Sequence, residues 1–415
     1  MNYDEKVIQG FGSVTCTDKL LFLGHYGPSS KVSIFKFLEN ETQDIKFVGS
    51  LFPIIGTVVK LLINAEKGTL VCGTNAGYLY IWDISNETIE TLESLTYSPL
   101  YGDGYIPLNS RVAPVAVVEP SNMGNLVDFD FIYQNNFIIG LEKWPELNVN
   151  FYNASNGSKV ASSRNLVKNV DKNKYMTCVK ADPNFISNDG KGQWVVCGSA
   201  RGTISLTLVP PNVLNEEGKT VELCCFTFDL AESVNINSLA WRFRSPSSTN
   251  LTVLSGCSDG YIRCCVFSTQ SDSPVLHKQA TYSYSKSSIT GTVNKIICGK
   301  DTRTGVPYVI GSCNMISEFG STEAGDVSSS CAFELVYQKL LQDSSDDIIS
   351  FASIQDYITN MCVSPDHKFV VLVSSNDSVY LCPENTNASG TATSPWKKPL
   401  KLTWRTPEFV KFINN

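Results

Sequence analysis

Histidine is scarce in this chain of 415 residues, which contains only His25, His277 and His367. Histidine-based acid–base catalysis and histidine metal sites are therefore disfavoured, and we expect surface residues, with His25 and His367 in turns. Charged residues make up only 18% of the chain, and its net charge is −7. A chain with that balance has no summed positive field to attract nucleic acid or an anionic membrane, so neither is an expected partner.

Long apolar runs are also missing. No uninterrupted apolar segment approaches the roughly 18 residues that suggest a membrane span, and the polar start at residues 1–6 has no signal-peptide core. We therefore expect a cytoplasmic or nuclear protein without a membrane partner. In that reducing setting the 14 cysteines should be free thiols rather than disulfides.

The cysteines show no metal-binding spacing. No C-x-x-C pair occurs, and two adjacent pairs, at 224–225 and 264–265, lie in strand-like segments, where neighbouring side chains point to opposite faces. We predict no metal, no cofactor and no catalytic residue. Four cysteines are expected to be buried, reduced and metal-free: Cys72, Cys197, Cys264 and Cys362.

What the chain does contain is a succession of short apolar segments of about five to eight residues, separated by Gly, Asn, Asp and Pro. This pattern is typical of strands and turns. Sustained helical periodicity is absent. The best helix candidate, residues 331–341, fits a strand equally well because Phe333, Leu335 and Tyr337 alternate. The sequence therefore predicts an all-β fold.

Three segments repeat one another: residues 71–83, 196–206 and 254–264. Each has a strand, a G-x-x-x-G turn and a second strand, which is the pattern of a hairpin. The second glycine of the turn (Gly77, Gly202 or Gly260) is predicted to adopt a positive φ, which glycine tolerates without strain.

Weaker copies of this unit fill the rest of the chain, at residues 22–35, 137–151, 309–337 and 370–381. Alternating strands precede most units, and several have a further outer strand. Four strands repeated about seven times describe the blades of a closed β-propeller. We therefore predict a single domain over residues 1–415, with loop insertions near 97–124 and 313–330. Either residues 398–403 or residues 6–10 should supply a strand that completes the last blade.

From about residue 14 to residue 381 the chain resembles the WD-repeat (WD40) β-propeller family. The resemblance is most specific at Tyr-Ile-Trp-Asp, residues 80–83, and at Ser-Asp-Gly-Tyr-Ile, residues 258–262. Only Trp82 and Asp83 give the name-giving dipeptide, and three histidines cannot fill the family's Asp-His-Ser-Trp network in most blades. The resemblance implies a non-enzymatic interaction scaffold, a subunit or adaptor of a larger intracellular complex.

An enzyme is the alternative, namely a propeller hydrolase with its site in the central channel. Residues 187–194 resemble the Asp-box of sialidase-type propellers, but Lys191 stands where that motif requires glycine. The segment is therefore interpreted as a polar turn before a strand that starts at Trp194. Clustered acidic, His or Arg side chains at one channel mouth would favour the hydrolase.

Candidate partner-binding residues lie at the predicted loops. Tyrosine and tryptophan are enriched at binding hot spots because a rigid aromatic ring gives much contact area for little entropy loss. Such residues occur in the 97–108 segment and in the turn at residues 142–146 of the 137–151 unit. Charged or polar residues occupy the hairpin tips. We predict that one rim carries Asn75, Tyr101, Tyr105, Trp144, Arg201 and Asp259. The acidic segments 313–330 and 343–347 favour other proteins or peptides with basic segments.

Overall fold

A computed structural model of the chain describes residues 11–26, 30–38, 45–52, 54–96, 112–120, 126–142, 148–163, 175–183, 191–215, 218–242, 248–270, 273–283, 291–300, 307–316, 331–339, 349–354, 356, 358–374, 378–385, 396–402 and 404–405. The fold is all-β, as the alternating apolar pattern predicted. Its strands form seven sheets, each with a core of four antiparallel strands taken in chain order.

The first sheet contains β1 (Phe11–Cys16), β2 (Leu20–His25), β3 (Val32–Phe37) and β4 (Ile45–Leu51). The second contains β5 (Val58–Asn64), β6 (Thr69–Thr74), β7 (Leu79–Asp83) and β8 (Ala116–Val118). The third contains β9 (Leu126–Ile132), β10 (Phe137–Glu142), β11 (Asn148–Asn153) and β12 (Lys159–Ser163). The fourth contains β13 (Met176–Ala181), β14 (Gln193–Ser199), β15 (Thr203–Val209) and, after a 3-10 helix at Pro211–Asn215 and the short strand β16 (Lys219–Thr220), β17 (Cys225–Asp229).

The fifth sheet contains β18 (Ile236–Trp241), β19 (Asn250–Cys257), β20 (Tyr261–Ser268) and β21 (Val275–Ser283). The sixth contains β22 (Gly291–Lys300), β23 (Pro307–Ile316), β24 (Cys331–Lys339) and β25 (Ile349–Ile354). The seventh contains β26 (Ile358–Val363), β27 (Phe369–Ser374), β28 (Val379–Pro383) and β29 (Leu400–Lys401). Two short strands add to sheet edges in parallel: β16 beside β12, and β30 (Trp404–Arg405) beside β4.

The apolar side chains of the strands form seven buried clusters, and each cluster joins two sheets that are neighbours in chain order or, in one case, the seventh sheet and the first. A strand alternates between two clusters. In β14, Val195 and Cys197 pack against the third sheet, whereas Val196 packs against the fifth. Because successive side chains point to opposite faces and both faces are covered, these strands are continuously apolar rather than alternating with polar residues.

The first strands of the sheets are also in contact with one another in chain order, and β26 contacts β1. Below we call β1, β5, β9, β13, β18, β22 and β26 the first strands. The segment predicted at 398–403 provides β29, which pairs with β28 as the fourth strand of the seventh sheet. The chain then continues to β30 on the first sheet. The alternative segment, residues 6–10, lies outside the described residues.

One helix, α1 (Asn86–Thr96), was not expected from the sequence. It begins after Ser85, whose carbonyl accepts the N–H of Ile89 at 3.0 Å. Among residues 86–94, whose burial is described, Ile89 and Leu92 are the buried ones, too few to give a visible helical period. Tertiary contacts hold the helix on β4, where Leu92 lies over Gly49 and Glu93 pairs with Lys46.

The predicted insertions are only partly described. Within 97–124, the expectation of a loop was wrong for Ala116–Val118, which form the outer strand β8 and pair with Leu79–Ile81. Within 313–330, β23 extends as far as Ile316, and residues 317–330 lie outside the described part. The acidic segment 343–347 and residues 187–190 of the Asp-box-like segment lie outside it as well. The strand predicted to start at Trp194 is present as β14, which begins one residue earlier, at Gln193. None of the described helices has the length and apolar character needed to cross a membrane.

Candidate functional site

The three hairpins predicted from G-x-x-x-G are present, at the β6–β7, β14–β15 and β19–β20 turns. The predicted positive φ is also confirmed, with 88° at Gly77, 75° at Gly202 and 81° at Gly260. A side chain at Gly202 would meet the backbone carbonyl of Ala231. The glycine thus allows both the turn and the close approach of the next sheet's connection.

Each of these turns is tied to the start of its own first strand by an equivalent backbone hydrogen bond. The N–H groups of Asn75, Ala200 and Ser258 donate to the carbonyls of Thr57, Tyr175 and Asn235 at 3.0, 3.0 and 2.9 Å. The turns therefore lie at the end of each sheet where its first strand begins. We call this surface the turn rim.

The predicted partner-binding residues have different roles on the turn rim. Asn75 accepts the N–H of Thr57 at 2.8 Å through Oδ1, so its amide stabilises the connection. Asp259 accepts two hydrogen bonds from the guanidinium of Arg263. Arg201 is exposed. Tyr101, Tyr105 and Trp144 lie outside the described residues, so their prediction stays open.

The turn rim also carries exposed aromatic residues that the sequence analysis did not single out. Tyr26 follows β2, Tyr175 precedes β13 and Tyr261 begins β20; their exposed fractions are 40%, 44% and 38%. The guanidinium of Arg263 lies 5.7 Å from the centre of the Tyr261 ring, a distance suited to a cation–π contact. Each tyrosine lies next to a turn or to the start of a strand. A search of the sequence for aromatic residues at those positions could have identified all three.

A second candidate region is a cavity of about 1010 Å³ lined by the first strands of all seven sheets. The pairing of every first strand with the second strand of its sheet shifts register just after an apolar residue of the first strand, as at a β-bulge. A bulge re-aims the side chain that follows it. These post-bulge residues line the cavity: Ser13, Lys60, Asp128, Cys178, Ser238, Lys295 and Asn360.

Several post-bulge residues bond to the next sheet through the same geometry. Ser13 Oγ accepts the N–H of Leu61 at 2.9 Å, and Ser238 Oγ accepts that of Ile296 at 3.2 Å. Asp128 Oδ2 accepts the N–H of Val179 at 2.8 Å. In each case the acceptor is a post-bulge residue and the donor is the residue after the post-bulge position of the next first strand. Neighbouring first strands therefore run parallel and in register.

The other post-bulge residues, apart from Lys295, reach their neighbours as donors. Lys60 Nζ donates to Asp128 Oδ1 at 2.6 Å, and Cys178 Sγ donates to the carbonyl of Ile236 at 3.6 Å. Asn360 Nδ2 donates to the carbonyl of Gly12 at 3.3 Å, from the seventh sheet to the first.

Charges concentrate around the third sheet. Asp130, two residues after Asp128, is 5% exposed and accepts the N–H of Ala181 at 2.9 Å. Lys180 Nζ lies 3.0 Å from its Oδ2. Burial acts to raise the pKa of Asp130, but the positive charges of Lys180 and Lys60 and the Ala181 N–H outweigh it, so the pKa lies below the ordinary value.

Lys295 differs from the other post-bulge residues. Among the described residues, none accepts a hydrogen bond from its Nζ, although its backbone N–H donates to Ser312 Oγ at 3.1 Å. Burial, together with the charges of Lys60 and Lys180, lowers the pKa of Lys295 to about 8. Three lysines thus approach two aspartates in this part of the cavity.

Two histidine predictions need correction. His25 is a half-buried residue of β2 rather than a surface turn residue; Nε2 lies 2.8 Å from Ser33 Oγ, and burial followed by the charge of Lys31 lowers its pKa to about 3. His367 does lie in a turn, at φ 59°, but its Nδ1 is 2.7 Å from the hydroxyl of Tyr308. The third, His277, is exposed on β21.

The predicted burial is confirmed for Cys72, Cys197 and Cys264, which are free thiols. Cys362 is a free thiol but only half-buried, because it lies on β26 at the cavity wall. Its Sγ is 3.4 Å from Cys16 Sγ on β1. Within the described residues, no three His, Cys, Asp or Glu side chains are grouped so that they could hold a metal.

A scan against protein-family models gives no match, and a search of curated proteins finds no similar sequence.

Proposed function

We propose that the seven sheets are the blades of one closed β-propeller of the degenerate WD-repeat kind, whose turn rim binds other proteins. The buried cluster between the seventh sheet and the first supports closure, since it joins β2 and β27 through Leu21 and Val371. The pairing of β30 with β4 supports it from the outer edge.

Trp82 of the Trp-Asp dipeptide is fully buried, yet its Nε1 has no hydrogen-bond partner among the described residues, so that unit uses the tryptophan for packing.

Closure can be tested through Cys16 on β1 and Cys362 on β26, the first strands of the first and seventh sheets. A mild oxidant of the azo class, diamide, should remove one hydrogen from each thiol and join the two sulfurs, itself being reduced to the hydrazine. Peptide mapping of the folded full chain should find the Cys16–Cys362 disulfide, and the melting temperature should rise. Cys362→Ser is the control. A folded protein that never forms this bond would contradict the closed arrangement.

The observation that carries the interaction function is the exposure of Tyr26, Tyr175 and Tyr261 on one rim. Single exposed apolar residues are common, but tyrosines at equivalent ends of several sheets offer anchors of the type found at binding hot spots. Arg201 on the fourth sheet and Asp259 on the fifth, which is partly exposed beside the buried Arg263, add charged groups that select a partner. We therefore propose a protein or peptide as the partner, with the cytoplasm or nucleus, as expected from the sequence, as the site of action.

This function is tested by affinity capture from cells, followed by measuring the affinity for the partner that is identified. Tyr175→Ala and Tyr261→Ala should each weaken binding by about 1–3 kcal/mol while the melting temperature changes little. The same range applies to Tyr101, Tyr105 and Trp144. Val275→Ala is the matched control, because Val275 is 57% exposed at the opposite end of the fifth sheet. Equal capture by all variants would refute binding through the turn rim.

The rival function, a hydrolase with its site in the cavity, is supported by the presence of Asp128 and Asp130 in the cavity wall. A hydrolase of this kind needs a carboxyl group whose pKa is raised so that it can donate a proton. Here the pKa of Asp130 is lowered, and Asp128 is held by Lys60 and the N–H of Val179. These contacts favour a structural role for both aspartates.

A further inference from the structure

Among the described residues near the bulges, the cavity lined by the first strands has one lysine that forms no ion pair. Lys60 and Lys180 are paired with Asp128 and Asp130. Lys295 is the remaining lysine of this region, and no described residue accepts a hydrogen bond from its ammonium. With its pKa lowered to about 8, the amine is still mostly protonated at pH 7.

An unpaired ammonium is unfavourable in a confined site, because the desolvation is not offset by a partner. The contact between the sixth and seventh sheets, beside Lys295, also differs from the contacts between the other sheets. Met361, next to the equivalent residue on β26, donates its backbone N–H to Asn360 Oδ1 at 2.9 Å, within its own strand. No bond across the sixth and seventh sheets therefore engages the Lys295 side chain among the described residues.

The other charged residues of the cavity wall belong to its opposite mouth. Glu66 and Lys67 lie in the turn after β5, and Asp182 follows the end of β13. On β22 the lining begins at Lys295 and continues to Cys298, away from the turn rim. The uncompensated charge therefore lies at the end of the cavity nearer the turn rim. The volume of about 1010 Å³ is ample for a small ligand.

We propose that this end of the cavity binds a small oxyanion, a phosphate or carboxylate group, through the ammonium of Lys295, with Lys60 and Lys180 contributing to the attractive field. An anionic oxygen next to Lys295 would form a charge-assisted hydrogen bond and leave the local charge balanced. The site is separate from the tyrosines of the turn rim, so it does not depend on protein binding there.

The test uses the full chain at low ionic strength, with inorganic phosphate and citrate as probes and chloride at matched ionic strength as reference. Each oxyanion that binds should raise the melting temperature by at least about 2 °C over chloride. Phosphate also stabilises proteins non-specifically, so variants decide the outcome. Lys295→Met should lose the shift, whereas Lys278→Met, at an exposed position of β21, should keep it.

The two probes distinguish the possible sources of the anion: a shift with phosphate alone indicates phosphorylated ligands, and a shift with citrate alone indicates carboxylates. A shift with neither probe, or an equal shift in Lys295→Met, would overturn the proposal.

A second measurement needs no variant. Acetic anhydride should acetylate Lys295 more slowly when the effective probe is present, with Lys278 unaffected in the same sample. Equal acetylation of Lys295 with and without the probe would also overturn it.

Discussion

The junction between the third and fourth sheets and the junction between the fifth and sixth use equivalent positions with different chemistry. In the former, Asp128 and Asp130 accept the N–H groups of Val179 and Ala181. In the latter, Ser238 accepts the N–H of Ile296. A carboxylate makes the stronger hydrogen bond but brings a charge that must be neutralised. The comparison explains why Lys60 and Lys180 are found beside the aspartates.

The largest difference between the two junctions should appear when the carboxylate is removed. Asp130→Ala leaves Lys180 and the buried N–H of Ala181 without their acceptor. Because the Lys180 side chain is 39% exposed and stays partly solvated, we expect the free energy of unfolding to fall by about 2–4 kcal/mol. Urea denaturation at pH 7 measures the change. A loss below about 1 kcal/mol would show that the charged junction contributes no more than a neutral one.

The hydroxyl junction should respond less. Ser238→Ala leaves one buried backbone N–H without an acceptor and no charge, so a loss of about 1–3 kcal/mol is expected in the same assay. Ser13→Ala removes the equivalent bond to Leu61 and should give a similar value. If Ser238→Ala were as damaging as Asp130→Ala, the difference in chemistry between the junctions would not matter for stability.

The smallest effect on the free energy of unfolding should come from lowering the pH. The folded pKa of Asp130 lies below that of the unfolded chain, so near the unfolded value of about 4 the folded state binds fewer protons. The stabilisation is therefore present above that pH and is lost as the pH falls through the folded pKa. Comparing wild type with Asp130→Asn by urea denaturation from pH 6 to pH 3 should show a shallower decline in the variant. Identical slopes would mean that Asp130 does not titrate differently on folding.

The repeated hairpins could be predicted from the sequence because their chemistry is local: a positive φ at Gly77, Gly202 and Gly260 follows from the turn itself. The first strands could also be predicted, because alternating apolar residues are visible in the sequence of each segment. Helix α1 was missed because its position depends on Leu92 and Glu93 contacting another sheet.

The cavity could not be found in this way. Its post-bulge residues are Ser, Lys, Asp, Cys or Asn, so no shared residue type marks them. What they share is an apolar residue two positions earlier, for example Phe11, Val58 or Val293, followed by a bulge. That pattern becomes visible only when the strands are aligned by their pairing. His25 was misjudged similarly, because the Phe11 ring beside it comes from a neighbouring strand.

The contact between β26 and β1 also has a kinetic consequence. Its hydrogen bonds join residues 346 to 348 positions apart, whereas the junction bonds between successive sheets join residues about 50 to 70 positions apart. The entropy lost in closing a loop rises with its length, and contacts between distant residues slow folding. We therefore expect each sheet to form and dock on its predecessor first, with the β26–β1 contact forming last. Mutations at Thr359 or Asn360 should then accelerate unfolding and leave the folding rate of the earlier sheets unchanged.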